Sequence, residues 1–325
     1  MAIGKASDFK IYNDEFFGGM TEVLMQQADA FNAASLNAIR LVPDRHKGDY
    51  EKESFLKAIS SLISRRDTTS VSAATDLAMT QDEMIAVKLN RKIGPVAQTL
   101  DAWRKIAVDP QTMSFLLGQQ TAKAVMVDYI NTALSGVATA LGGVSSWGVD
   151  KSAASPATST HTYLVDALAK MGDNAGQVVC WVMHSKPYYD LVKQAIADKV
   201  FEVAGVTIMR GTVATFNRPT LVIDSSSLIV SGSPDTYITL GLVEDACEVA
   251  ESEQREIVSD LVTGLENLVM RIQGEYAFNL KVKGFKWDVT NGGANPAAAT
   301  VATASNWDKV VSDNKQLAGV HLITQ

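Results

Sequence analysis

Two cysteines in 325 residues, Cys180 and Cys247, are too few for a disulfide framework, and a reducing compartment is the simpler setting. No run approaches the roughly 20 uninterrupted apolar residues that span a bilayer. The opening "MAIGKASDFKIYNDEFF" has no apolar h-region, so no secretory signal is expected and a soluble cytoplasmic product is. The four histidines, His46, His161, His184 and His321, have no metal-ligand spacing, and neither His-Glu-x-x-His nor Cys-x-x-Cys occurs. There is no Walker A sequence and no Gly-x-Gly-x-x-Gly after a strand, so no phosphate cradle, metal or cofactor is expected. Excess positive charge is missing as well. The formal net charge of −7 argues against a chain whose main task is gripping nucleic acid.

What is present is a globular composition, 46% hydrophobic and 20% charged, long enough for one large domain or two ordinary ones. Asn13 and Asp14 can cap a helix through "EFFGGMTEVLMQQADAFNAASLNAI", with Phe16, Phe17, Met20, Val23, Leu24, Phe31 and Ile39 on one face. Gly18-Gly19 weakens its first turns, and Pro43 ends the pattern. Residues 44–100 are polar and rich in hydroxyls until "MIAVKLNRKIGPV". There Ile85, Val87 and Leu89 alternate with Ala86, Lys88 and Asn90, the signature of a half-exposed strand. The span reads as a long hairpin-like arm unable to build its own core.

Asp109 as cap and Pro110 at the first helical position open the clearest helix, which runs to Gly142-Gly143. Met113, Leu116, Leu117, Ala124, Val127, Ile130, Leu134 and Val137 mark its expected face. At about 1.5 Å per residue it is a rod of roughly 45 Å. Residues 145–160 are a loop by composition. From Tyr163 the pattern is α/β: a helix, a strand at 178–183, a helix at 186–198, then short strands "GVTIMRG" and "TLVIDSS". "YITLGL" precedes the acidic stretch Glu244 to Glu256, which reads as a solvated face. The alternating segment after it places Phe278, Leu280, Val282, Phe285 and Trp287 inward. Residues 291–305 read as a low-complexity linker, and "GVHLIT" as a returning strand.

One stretch, "QVVCWVMHSKPYYDLVKQAI", sets Cys180, His184 and Ser185 close together at a strand-to-helix turn. A hydrolase elbow requires Gly-x-Ser-x-Gly, and Ser185 is flanked by Met183, His184, Lys186 and Pro187 instead. Ser185 suits an N-cap. Cys180, wedged among valines and Trp181, suits a small core hydrophobe with its pKa raised. No catalytic residue is assigned. Arg65-Arg66-Asp67 forms a charged tip on the arm, and with Lys88, Arg91 and Lys92 it makes up the candidates for contact between subunits.

The order of these elements resembles the major capsid protein of tailed bacteriophages, the HK97-type coat fold. "VVCWVMHSKPYYDLVKQ", "RPTLVIDSS", "YITLGLVEDACEV" and "NWDKVVSDNKQLAGVHLIT" are similar to local pieces of that family. The resemblance implies an α+β chain with an N-terminal arm (1–43) and an extended E-loop hairpin (44–100). It also implies a P-domain (101–162 and 250–325) with a long spine helix at about 110–141, and an inserted α/β A-domain (163–249). It further implies a coat protein of the virion, not an enzyme, that assembles in the host cytoplasm with copies of itself as pentamers and hexamers. Such a shell encloses double-stranded DNA with only weak non-specific contact, touches no membrane, and works with scaffold, portal or decoration proteins. A cargo-holding encapsulin-like shell is the alternative within the fold. An α/β hydrolase using Ser185 or Cys180 is the alternative outside it, and it leaves the arm and the rod unexplained.

Overall fold

The computed structural model describes residues 6–43, 48–57, 62–66, 68–73, 76–99, 101, 110–202 and 218–325. Asp67, His46, Asp109 and the expected strand "GVTIMRG" lie outside them. Helix α1 (Ala6–Ala34) leads to strands β1 (Ile39–Val42), β2 (Tyr50–Leu56) and β3 (Gln81–Thr99). The long helix α2 (Pro110–Gly142) follows, then β4 (Val149–Asp150), α3 (His161–Met171), β5 (Val178–Met183) and α4 (Ser185–Glu202). The chain continues through β6 (Thr220–Val222), β7 (Ile229–Val230), β8 (Thr236–Val243), β9 (Cys247–Val262) and β10 (Val269–Val282). It closes with β11 (Phe285–Trp287), the short helix α5 (Ala298–Val301), β12 (Trp307–Lys309) and β13 (Gly319–Thr324).

Two main sheets result. The first has the order β1-β9-β10-β3-β2, antiparallel except for the parallel β1–β9 pair. The second has the order β4-β13-β8-β5-β6, with β7 added beside β8. In it the last strand, β13, lies between β4 and β8. A two-stranded pair, β11 and β12, stacks Trp287 edge-on against Trp307 at 5.0 Å.

Helix α1 begins at Ala6, so Asn13 and Asp14 are interior to it rather than its caps. It stops at Ala34, earlier than Pro43. Asn37 N–H donates to Asn32 O and Leu36 N–H to Ala33 O, with both turn residues at positive φ (51° and 58°). This is a Schellman closure made without glycine, which is why the sequence pattern hides it. Ile39 therefore sits in β1, not on the helix. Gly19 has a purpose beyond weakening a turn. A Cβ there would lie 2.6 Å from Phe115 O, and one at Gly118 would lie 2.3 Å from Phe16 O, so α1 and α2 cross backbone to backbone.

Helix α2 has 33 residues, about 50 Å of rod. From Ser114 to Gly142 it is long and apolar enough to cross a membrane by length and composition, yet most of it is buried inside the protein. Its buried face is Ala122, Val125, Met126, Tyr129, Ala133, Leu134, Val137 and Leu141, whereas Leu116, Ala124 and Val127 are exposed. Of the expected face, Leu134 and Val137 are buried and Leu117 and Ile130 half-buried, while Leu116, Ala124 and Val127 are not, because apolar residues occur all round this helix and periodicity cannot then choose a phase. Tyr129 meets Phe278 and Tyr276 edge-on at 4.9 and 5.8 Å, which ties the rod to β10.

Three further expectations need correction. Glu244 to Glu256 is not simply a solvated face, because from Cys247 onward it is the first part of a 16-residue strand. Its carboxylates neutralise cations across the sheet. Residues 291–305 are not a free linker, since Trp287 Nε1 donates to Gly293 O and Trp307 Nε1 to Val301 O, both at 2.9 Å. Around Ala86 and Lys88, β3 is buried on both faces rather than one. Phe278, Leu280, Val282, Phe285 and Trp287 all point inward and are buried, as their alternation predicts.

Candidate functional site

The strand-to-helix elbow is the first place to look for chemistry. Cys180 is fully buried in β5, where burial pushes its thiol up to about 12, far from a reactive thiolate. At the turn, His184 rather than Ser185 caps α4: its Nδ1 accepts from Lys186 N–H at 3.3 Å, and Tyr188 N–H bonds to His184 O. Ser185 is the first helical residue, and its own N–H donates to Asp224 Oδ1 at 3.1 Å. Hydrogen bonds from Ser185 hold the Asp224 carboxyl below the usual carboxylate range. Ser185 Oγ lies 3.4 Å from His184 Nδ1, and His184 Nε2 lies 3.4 Å from Asp224 Oδ1. The three residue types of a triad are thus adjacent, but the imidazole nitrogen facing the hydroxyl already accepts a backbone N–H. The arrangement closes a loop onto a helix. His161 and His321 lie apart from it, and among the described residues no group of three metal-ligating side chains occurs.

The β2–β3 hairpin differs. Its base is held by ion pairs and hydrogen bonds, some within the hairpin and some to the rest of the chain. Lys57 pairs with Asp82 at 2.7 Å, and that hydrogen bond is the main cause of Asp82's lowered pKa. Lys281 pairs with Glu53, and Asn279 Nδ2 donates to Glu51 at 3.0 Å. Lys88, nearly buried, reaches Glu253. Arg91 lies over the Phe278 ring and donates to Asp128 at 3.2 Å; Asp128 also accepts from the Tyr276 hydroxyl at 2.7 Å. Burial first, then this carboxylate, pushes the Tyr276 phenol far up. Lys88 and Arg91 therefore place their charge inside their own subunit. Lys92 is exposed, beside Glu256, Asp260, Arg271 and Glu275.

Beyond that base every described residue of the hairpin tip (62–66, 68–73 and 76–80) is exposed. Ile63 is 94% and Val71 102% exposed, and Leu56, Leu62, Leu77 and Met79 are each more than half exposed. Arg65 and Arg66 are exposed in the same stretch. Isolated exposed apolar residues are ordinary, but six within 24 positions on an arm without a core mark a surface meant for contact. Sequence reading found the two arginines there and passed over their apolar neighbours, because hydroxyl-rich spacing disguised them. A second uncovered place is a groove between α1 and the start of β9, lined by Met25, Leu41, Met126 and Tyr129.

Solved structures share this architecture. The capsid asymmetric unit of cyanophage Pam1 matches with a TM-score of 0.52 at 11% identity, covering 88% of each chain. The capsid of Ralstonia phage GP4 matches with 0.51 at 13% identity, covering 89% of this chain and 87% of that one. A chain of Mycobacterium phage Cain matches with 0.51 at 12% identity, covering 86% and 90%. At such identities the likeness shows the fold, and it is the HK97-type coat fold that the element order resembles. No curated protein sequence matches significantly. Neither the encapsulin-like compartment nor the hydrolase is favoured by these matches. The family profile described as "Major capsid protein 13-like" matches residues 8–321, nearly the whole length, and the chain belongs to this Gp13-like family of major capsid proteins, the structural subunits of the phage shell.

Proposed function

We propose that this major capsid protein is the repeating subunit of an icosahedral head around double-stranded DNA, built in the host cytoplasm as pentamers and hexamers and catalysing nothing. Its parts divide the work as arm (1–43), E-loop hairpin (44–100), P-domain around α2 (101–162 and 250–325) and inserted A-domain (163–249). Scaffold, portal and decoration proteins are its expected partners. The observation that carries this reading is the hairpin, whose six apolar side chains are each more than half exposed. They are accounted for if each tip lies across a neighbouring copy, since heterologous contacts repeated around an axis close into rings. Exposed Arg65, Arg66 and Lys92 are the charged groups available for such contacts. The net charge of −7 suits an inner wall that meets packed DNA without holding it tightly.

Negative-stain microscopy of the purified chain, with size exclusion alongside, tests the reading. Shells, or rings of five or six, are the expected result. A monomer at every concentration, with scaffold supplied, contradicts it.

A further inference from the structure

Strand β1 is an edge of the first sheet, with β9 on one side. Cys247 N–H bonds to Ala38 O, so by the alternation of a parallel ladder Ala38 and Arg40 turn their backbone groups to β9, and Ile39 and Leu41 turn theirs outward. Such an edge is a template for another strand. Here it is already taken. Asn32, near the end of α1, donates from Nδ2 to Leu41 O and accepts from Leu41 N–H at Oδ1, both at 2.9 Å. Two bonds exchanged with one residue is what an antiparallel neighbour makes. A side-chain amide, with donor and acceptor side by side, can imitate it. The buried Ser35 hydroxyl reaches Ile39 O at 3.2 Å. Helix α1 does not need the Asn32 side chain, because its end is closed by backbone bonds, Asn37 N–H to Asn32 O among them.

The same solution recurs on the other side of the sheet. Strand β3 runs on to Thr99, past its pairing with β2, which ends at Val87. Lys88 N–H bonds to Asp49 O on the β2 side, so the next N–H on that side belongs to Asn90. A side chain meets it again: Asn295 Oδ1 accepts it at 2.9 Å. Further along β3, Pro95 has no N–H to offer. We infer that Asn32, with Asn295 on the far side, is a stopper against strand addition. Each side chain takes bonds that a strand of a second copy would need, and subunits then meet through side chains without fusing their sheets. The device acts in the free subunit, so its failure leaves the coat reading standing.

Asn32→Ala in the full chain tests this, with Leu240→Ala as the control for lost stability alone. Free subunits of each are held at the same interval below their own melting temperature. Asn32→Ala is expected to sediment severalfold more than the unsubstituted chain, with the infrared band of intermolecular sheet, and hydrogen exchange should find the Leu41 amide protected in the sediment. Leu240→Ala is expected to stay in solution. Asn32→Ala remaining as soluble as the unsubstituted chain overturns the stopper. So does equal sedimentation of Leu240→Ala, which would tie aggregation to stability, or a Leu41 amide that exchanges freely in the sediment. Should Asn32→Ala fail to fold, Asn295→Ala, at an exposed position, gives the second readout. A smaller rise in sediment with the Asn90 amide protected is expected, and no rise overturns the stopper.

Discussion

The second sheet and the β2–β3 hairpin use the same kinds of side chain to opposite ends. In the sheet, Cys180, Trp181, Val182, Met183, Leu240, Leu242, Val320 and Leu322 are all fully buried by their own chain. On the hairpin, Leu56, Leu62, Ile63, Val71, Leu77 and Met79 stand in solvent. Burying one such side chain contributes about 1.5–3 kcal/mol, so six hold on the order of 10 kcal/mol per copy that only association can release. Ordering and lost rigid-body freedom offset a large part of it. The first region makes a subunit; in the function proposed above, the second joins subunits into a shell.

The sharpest way to break this comparison is to remove the tip. Replacing residues 58–79 by a short glycine linker is expected to abolish shells under the microscope and leave the subunit's melting temperature close to that of the full chain. A large drop in melting temperature would mean that the tip folds its own subunit. Next in size is a pair of truncations. Leu240→Ala, in the filled sheet, is expected to cost about 2–5 kcal/mol of subunit stability by denaturant titration, whereas Ile63→Ala costs the free subunit almost nothing and lowers the shell's dissociation midpoint. Equal losses in the free subunit would erase the distinction. Gly118→Ala, at the crossing of α1 and α2, is expected to cost about 1–3 kcal/mol, because the new Cβ meets Phe16 O and the helices must part.

The smallest expected effect is a pH dependence confined to the self-covered sheet. His321 is buried in β13, packed so closely on Gly148 that a Cβ there would strike its ring. Burial lowers its pKa from 6.5, with Asp150 opposing. The unfolded chain therefore takes up the proton first. The contribution of neutral His321 to stability is present above about pH 6.5 and is lost as pH falls below it toward the folded pKa. Denaturation midpoints should decline over that window, and His321→Gln should flatten the decline. An unchanged slope would assign it to other groups.

Much of the self-covered region was legible in the sequence, because burial writes itself as pattern. The run Val178 to Met183 reads as a strand, and the inward positions of β10 follow from period-two alternation. The failures have physical causes. The strand β9 was hidden by its own glutamates, which are tolerated there because Arg40 pairs with Glu248, Lys88 with Glu253 and Arg255 with Glu251. Those partners come from other strands or from four residues along the same one, out of reach of a local reading. The end of α1 was missed because Leu36 and Asn37 adopt the left-handed turn that glycine ordinarily marks. At the candidate site, the arginines of the tip could be picked out, but the groove beside α1 exists only once α1, β1 and β9 are packed together.

Hydrogen–deuterium exchange compared between free subunits and assembled shells tests the central claim most directly. Backbone amides of residues 62–66, 68–73 and 76–79 are predicted to exchange quickly in the subunit and to become protected in the shell, while β5, β8 and β13 are equally protected in both. Equal exchange at the tip before and after assembly would contradict the claim that neighbouring copies cover it.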